Sequence, residues 1–236
     1  MLHKNNFSLF PLTPGSVYFI GFFAADGNIT INKNGSHYVE ITSKDLDLLE
    51  SFKQYFHLSI KISERVDSNG SNLRYRIQIG SMSLVLELLK LGFSRRKSKT
   101  LKIPDIPDSL FAHFVRGYFD GDGNVMFKHY KRKGRTTLTP FFRVVFTSCS
   151  GEFLRRLLAR LREMKVVKKG TVLKESKCNR LVLAPFDSLS LGRFMYNSDR
   201  CKATPFVLAR KQRIFAAART FYRENTERKP KGFLNV

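Results

Sequence analysis

The feature that most limits how this chain can fold is that it states one motif twice. Residues Phe19–Gly27 read FIGFFAADG and residues Val115–Gly123 read VRGYFDGDG. Gly21 aligns with Gly117, Ala25 with Gly121, Asp26 with Asp122 and Gly27 with Gly123, all at one offset of 96 residues. Asn28-Ile29 against Asn124-Val125 extends the match. Repetition on this scale implies two structural units of one kind.

The sequence after each motif runs in parallel. Strand patterns over Asn28–Asn32 and His37–Ser43 flank a Lys33-Asn34-Gly35-Ser36 turn, and a helix pattern starts near Asp45. Strands over Ile60–Val66 and Leu73–Ile79 then flank Ser68-Asn69-Gly70-Ser71, and a helix over Met82–Leu91 closes the copy. In the second copy strands near Asn124–Tyr130 and Arg135–Ser148 are followed by a helix over Gly151–Met164. Strands near Val166–Leu173 and Asn179–Leu183 come next, then helices near Asp187–Tyr196 and Thr204–Tyr222. Period-two and helical spacing thus give helix, two strands, helix, two strands, helix in both halves. The fold class is α+β, two tandem αββαββα domains over 14–100 and 108–222. The proline-broken segment LKIPDIPD supplies the linker (101–107), and a polar tail, expected to be loosely ordered, occupies 223–236.

Each motif reads as a helix ending in Asp-Gly. Thr13 and Pro14 are placed as N-cap and first helical residue of the first one. Gly27 and Gly123 stand where a left-handed residue commonly ends a helix. Gly21 and Ala25 are four apart, as are Gly117 and Gly121, so each helix carries a strip of small residues along which two backbones can approach closely. If the helices pack along these strips as a pseudo-two-fold pair, Asp26 and Asp122 emerge together at two adjoining C-termini, where the helix dipoles deepen the negative potential. A hard cation such as Mg²⁺ suits oxygen donors of this kind, and Mn²⁺ or Ca²⁺ would fit the same set. Asp120 has Ala24 as its counterpart and is expected to serve the second helix end alone.

Charge names the partner. The 236 residues hold 42 Lys plus Arg against 19 Asp plus Glu, a net charge of +23, which calls for a polyanion. No stretch approaches the roughly 20 apolar residues that span a bilayer. The basic residues fall on strand-like segments, which favours nucleic acid over a membrane surface. Cys149, Cys178 and Cys201 are odd in number and lack CxxC spacing, so neither a disulfide framework nor a zinc site is expected. The N-terminus has no apolar signal region, so an intracellular protein is expected, with cytoplasm and organelle both open.

Strand alternation supplies the candidate DNA contacts. Arg74, Arg76 and Gln78 share one face of their strand, opposite Tyr75, Ile77 and Ile79. Asn28, Thr30 and Asn32 alternate likewise, as do Lys61, Ser63 and Arg65, and in the second copy Asn124, Met126, Lys128, Arg143 and Arg180 are candidates. A β-ribbon fits the major groove, where Arg pairs bidentately with guanine and Gln with adenine. The turn formed by Lys131, Arg132, Lys133, Gly134 and Arg135 is expected to grip phosphates. The two copies differ at nearly every such position, so the target should be long, asymmetric double-stranded DNA, bound less tightly as salt rises.

The paired motifs resemble those of the LAGLIDADG homing endonucleases in their single-chain, two-repeat form, over roughly residues 14–220. The resemblance implies a monomer whose two sheets form a saddle on the DNA major groove. It also implies metal-dependent double-strand cleavage across the minor groove with short 3′ overhangs. The metal role falls on Asp26 and Asp122, with the helix-end positions Ala25 and Gly121 beside them. A basic helper for each active site falls on Lys97 and Lys202, with Lys99 competing for the first. Ser43 and Ser148 occupy the place of a water-positioning residue, and N-capping of the next helix is an equal alternative. A non-cutting RNA maturase or DNA-binding regulator on the same scaffold is the rival reading, one that would not need both acids. An intein is not expected, because the sequence opens with Met1 and closes with Asn235-Val236 rather than His-Asn.

Overall fold

The computed structural model describes residues 7–66, 70–134, 136–197, 199 and 202–227. Ser68 and Asn69 of the second expected turn, Arg135, Cys201 and residues 228–236 lie outside the described residues. The first repeat runs α1 (Pro14–Asp26), β1 (Gly27–Ile31), β2 (His37–Ser43), α2 (Leu46–Tyr55), β3 (Ser63–Val66), β4 (Leu73–Gly80) and α3 (Met82–Lys90). The second runs α4 (Asp108–Asp122), β5 (Gly123–Lys131), β6 (Leu138–Ser148), α5 (Gly151–Glu163), β7 (Thr171–Lys174), β8 (Asn179–Leu183), α6 (Pro185–Tyr196) and α7 (Ala209–Glu227). The repeat order read from the sequence is the observed order. Residues 101–107 form the non-helical connector.

Local chemistry sets the element ends. Thr13 Oγ1 accepts from the Ser16 amide at 3.1 Å while Ser16 Oγ accepts from the Thr13 amide at 2.8 Å, a reciprocal cap on α1. Ser150 Oγ accepts from the Phe153 amide to cap α5 and donates to Leu101 O at 3.0 Å, which ties the linker to the second repeat. On α5 the apolar stripe Phe153, Leu154, Leu157, Leu158 and Leu161 is buried, while Arg155 and Arg156 face water. The final helix starts at Ala209 rather than Thr204: Pro205 disfavours helix at Thr204, and residues 205–208 are non-helical. It also runs to Glu227 rather than stopping at Tyr222, since no proline or glycine interrupts it before Pro230.

Among the described residues there are two antiparallel four-stranded sheets, ordered β1-β2-β4-β3 and β5-β6-β8-β7. Cross-strand partners share a face, so the registers Asn28↔Glu40, Glu40↔Gln78 and Thr42↔Arg76 define the outer face of the first sheet. Ile29, Val39, Ile41, Ile77 and Ile79 turn inward and are buried. In the second sheet Val125, Phe142, Val144, Phe146, Leu181 and Leu183 form the inner face. The two halves share one core, whose centre is the α1–α4 pair.

The helix pair packs reciprocally. A Cβ on Gly21 would sit 2.2 Å from Phe114 O, and one on Gly117 would sit 2.1 Å from Tyr18 O. Tyr18 and Phe114 are equivalent positions of the two repeats, so each glycine receives the same turn of the opposite helix. One turn further on, a Cβ on Gly121 would lie 2.4 Å from Ala25 Cβ and 3.0 Å from Asp26 Oδ2. The small strips therefore deliver the helix ends to the same spot.

Candidate active site and nucleic-acid interface

Asp26 and Asp122 are the last residues of α1 and α4, and the chain enters β1 and β5 directly from them. Gly27 (φ −85°, ψ 156°) and Gly123 (φ −88°, ψ 151°) are extended, which corrects the expectation of left-handed caps. Glycine is needed there for space: a Cβ would fall 2.1 Å from a ring carbon of Phe23 or of Phe119. Each glycine amide still donates to the helix, to Phe23 O and Phe119 O respectively.

The two carboxylates open to solvent on one side and are crowded by protein on the others. Burial, then the Asp122 carboxylate, pushes Asp26 up to about 6, against the pull of Lys211, Lys97 and Arg74. Burial raises Asp122 as well, with Lys97 and Lys211 opposing. Two acids that repel each other beside two ammonium groups form a strongly coupled site.

Both ammonium groups are buried, and each donates to the helix-end glycine carbonyl of one repeat. Lys97 Nζ donates to Gly27 O at 2.5 Å and lies 5.2 Å from the centroid of the Phe23 ring. Lys211 Nζ donates to Gly123 O at 2.7 Å, Phe119 O at 2.6 Å and Asp120 O at 2.9 Å, and lies 4.8 Å from the centroid of the Phe119 ring. Desolvation lowers each to about 8, while the carboxylates hold them up: Asp122 and Asp26 at Lys97, Asp120 and then Asp26 at Lys211. Lys97 therefore stands where it was expected, with Lys99 exposed. Lys202 does not: it is exposed, and the buried ammonium of the second half belongs to Lys211 in α7. A signal for Lys211 is present in the sequence, because Leu208, Lys211, Phe215 and Ala218 follow helical spacing and all four are buried. A lone lysine on an apolar stripe is rarely buried without a polar target. Lys211→Met, which removes a charge that holds Asp26 down, is expected to raise the pH at which Asp26 loses its proton, whereas Lys202→Ala should leave it unchanged, checked by NMR titration of the carboxylates.

Asp120 also plays a different part from the one expected. It is buried and accepts from Tyr18 Oη of α1 at 2.6 Å and from Tyr196 Oη of α6 at 2.9 Å, so it ties the repeats together rather than serving α4 alone. Ser43 Oγ accepts from the Asp45 amide and Ser148 Oγ from the Ser150 amide, each at 3.1 Å. Both serines shape the turn into the next helix two residues ahead of its cap position, and Ser150 is the capping side chain on α5.

The remaining candidates lie mostly on the outer faces. Asn28, Thr30, Ser63, Arg65, Arg74, Arg76 and Gln78 share the first sheet's outer face through their registers. Glu40, not singled out in the sequence, joins them: its Oε2 accepts from Arg76 Nη1 at 3.1 Å and Gln78 Nε2 at 2.9 Å. Asn32 Oδ1 instead closes the β1–β2 turn by accepting from the Asn34 and Ser36 amides. Lys61 is exposed but precedes β3. In the second sheet Asn124, Met126, Lys128, Arg143 and Arg180 face outward. Lys131, Arg132 and Lys133 are exposed at the β5–β6 turn, where Arg132 donates to Tyr130 Oη.

Residues 16–92 match the family model of the LAGLIDADG-like domain. The LAGLIDADG meganuclease I-AabMI, solved bound to uncleaved DNA, shares the fold with a TM-score of 0.60 at 15% identity, covering 91% of this chain and 93% of that one. I-SmaMI, bound to an uncleaved DNA target in the presence of calcium, gives 0.57 at 15% identity over 94% and 95%. The first repeat is thus similar to the LAGLIDADG-like domain, and the chain as a whole shares the fold of the LAGLIDADG meganuclease I-AabMI and of I-SmaMI. Curated relatives are much longer. The probable translation initiation factor IF-2 of Thermococcus kodakarensis is 29% identical over 160 residues, 64% of this chain. The DNA-directed RNA polymerase subunit Rpo1C of Methanocaldococcus jannaschii is 34% identical over 113 residues, 46% of this chain. The chain spans 12% of the length of each. No helix among the described residues is long and apolar enough to cross a membrane.

Proposed function

We propose that the chain is a metal-dependent DNA endonuclease that makes a double-strand break with short 3′ overhangs in a long, asymmetric duplex target, acting as a monomer. The reading is carried by one observation: Asp26 and Asp122, equivalent residues of two repeats, meet at two abutting helix ends on a chain of net charge +23. A non-cutting DNA-binding relative would gain nothing from holding two mutually repelling carboxylates there.

The residues fit a hard divalent cation. Among the described residues no group of three or more His, Cys, Asp or Glu side chains gathers to hold a metal. The donors at hand are therefore the carboxylates of Asp26 and Asp122, the helix-end carbonyls of Ala25 and Gly121, and the substrate's own phosphate oxygens. When bound, Mg²⁺ or a similar cation supplies Lewis-acid stabilisation of the attacking and leaving oxygens. The protein's share is positional. Asp26 and Asp122 would hold the cation at the two abutting helix ends, and Lys97 and Lys211 place positive charge where negative charge develops. The outer faces of the sheets hold the duplex in register through Arg65, Arg74, Arg76, Gln78, Lys128 and Arg143, while Lys131, Arg132 and Lys133 of the β5–β6 turn bind phosphates.

This electrostatic arrangement sets a pH dependence. Asp26 rests at about 6 in the fold against 3.8 for an ordinary aspartate, so the folded chain binds more protons than the unfolded one between those values. The metal-free protein should therefore be most stable below pH 4 with respect to this group, and lose that contribution as pH rises through about 6. Cations compete with the same proton, so their apparent affinity should fall as pH drops below about 6. Calcium titration by calorimetry at pH 5 and pH 7.5 reads this directly, and equal affinity at both would contradict it.

A plasmid library of random targets tests the function itself. Linear products in Mg²⁺ that disappear in chelator support cleavage. Tight duplex binding without any cut would make the chain a DNA-binding regulator.

A further inference from the structure

The outer faces of the two sheets differ in chemistry. On the first, Glu40 gathers Arg76 and Gln78 into a row of hydrogen-bonding groups with Asn28 alongside. On the second, the row across β5, β6, β8 and β7 is Asn124, Val145, Val182 and Thr171, and the next holds Thr147, Arg180 and Leu173. Its guanidinium groups are engaged sideways: Arg180 Nη1 lies 2.7 Å from Glu175 Oε1, and Arg143 lies 4.8 Å from the centroid of the Phe141 ring. Between them lie apolar side chains. Tyr130, Phe141, Val182 and Leu173 line one shallow depression, with Tyr130 at 41% and Leu173 at 46% exposure.

Apolar groups gathered on an outward sheet face mark a contact surface. This one is continuous with the basic face that the duplex would occupy, and Lys128, opposite Phe141, and Arg132 border it. The one apolar group that an unmodified base pair presents in the major groove is the C5-methyl of thymine. We infer that the second repeat reads a thymine-rich half-site by burying C5-methyl groups against Phe141, Val182 and Leu173, whereas the first repeat reads its half through hydrogen bonds. The inference rests on the duplex-binding reading above. Each repeat then discriminates bases by a different physical means, although the backbone fold is duplicated. A 5-methylcytosine carries the same methyl and would satisfy the same surface.

Selection of randomised duplexes by the wild-type chain in calcium tests it. One half of the enriched site is expected to carry thymines in fixed register, and this half keeps its preference in Arg76→Ala. Resynthesis of that half with deoxyuridine, which lacks the methyl, should weaken binding about fourfold per methyl removed. The same exchange in the other half should leave affinity within twofold. At one of these positions, 5-methylcytosine should bind better than cytosine. Leu173→Gln, at an exposed position, should reduce the penalty for deoxyuridine without shifting the first half's preference. Enrichment of a site whose second half tolerates deoxyuridine, or is rich in G·C pairs, overturns the inference alone. Failure to enrich any duplex overturns the duplex-binding reading and the inference with it.

Discussion

Asp26→Asn is expected to reduce double-strand cleavage on the order of a thousandfold or more while leaving duplex affinity unchanged or slightly higher, and Asp122→Asn should do the same. Asparagine keeps the shape and one oxygen but removes the charge that draws a divalent cation, so several kcal/mol of charge stabilisation is lost at the step where it is needed. Binding does not suffer, because a carboxylate beside phosphates opposes it and contacts across the sheets are untouched. The pairing adds a second signature. The Asp122 carboxylate is part of what holds Asp26 at about 6. Asp122→Asn should therefore bring Asp26 nearer its ordinary value and stabilise the metal-free fold at neutral pH. Single-turnover cleavage, gel-shift affinity and thermal melting on the same samples separate these effects. Cutting retained by either variant would remove that residue from the active site.

The second large effect is on stability. Gly117→Val is expected to destabilise the chain by about 3 kcal/mol or more, toward the upper end for overpacked cores. The Cβ would sit 2.1 Å from Tyr18 O and 2.9 Å from Phe22 N, both backbone atoms, so no rotamer change can relieve the contact. The α1–α4 pair must separate, and Tyr18, Phe22, Phe114 and Tyr118, all buried, lose packing together. Gly121→Ala makes an instructive contrast. Its new methyl meets Ala25 Cβ and Asp26 Oδ2 at the end of the helix pair, where the ends can splay. It should reduce cleavage more than it reduces stability. Urea midpoints and cleavage rates measured together test both, and a Gly117→Val protein that melts like the wild type would contradict the packing account.

The difference between these two glycines also shows what could be read from sequence and what could not. The strips at Gly21, Ala25, Gly117 and Gly121 were readable because close backbone approach demands small residues at helical spacing, and duplication printed that demand twice. The same logic placed Asp26 and Asp122. Strand faces such as Arg74, Arg76 and Gln78 were readable from period-two alternation. The polar supports were not, because they arise where the halves stop being copies. Asp120 pairs with Tyr18 and Tyr196, yet its counterpart is Ala24 and that of Tyr18 is Phe114, so no repeat predicts the network. Lys211 comes from α7, which has no equivalent at the end of the first repeat, and positional matching led to Lys202 instead. At Gly27 and Gly123 an aromatic ring one turn back, rather than a left-handed backbone, excludes a side chain, and sequence pattern does not separate these two causes. Alternation gives the face on which Glu40 lies but not the two donors across the strands that it orients.

The central claim is that two repeats build one composite cation site. Manganese binding to the chain on an uncleaved duplex, measured by electron paramagnetic resonance for the wild type, Asp26→Asn and Asp122→Asn, tests it most directly. The account predicts that either substitution alone weakens all tight manganese binding at neutral pH, because each ion draws on both helix ends. Loss of half the bound manganese in each variant, with the other half at unchanged affinity, would mean two independent sites and would contradict it.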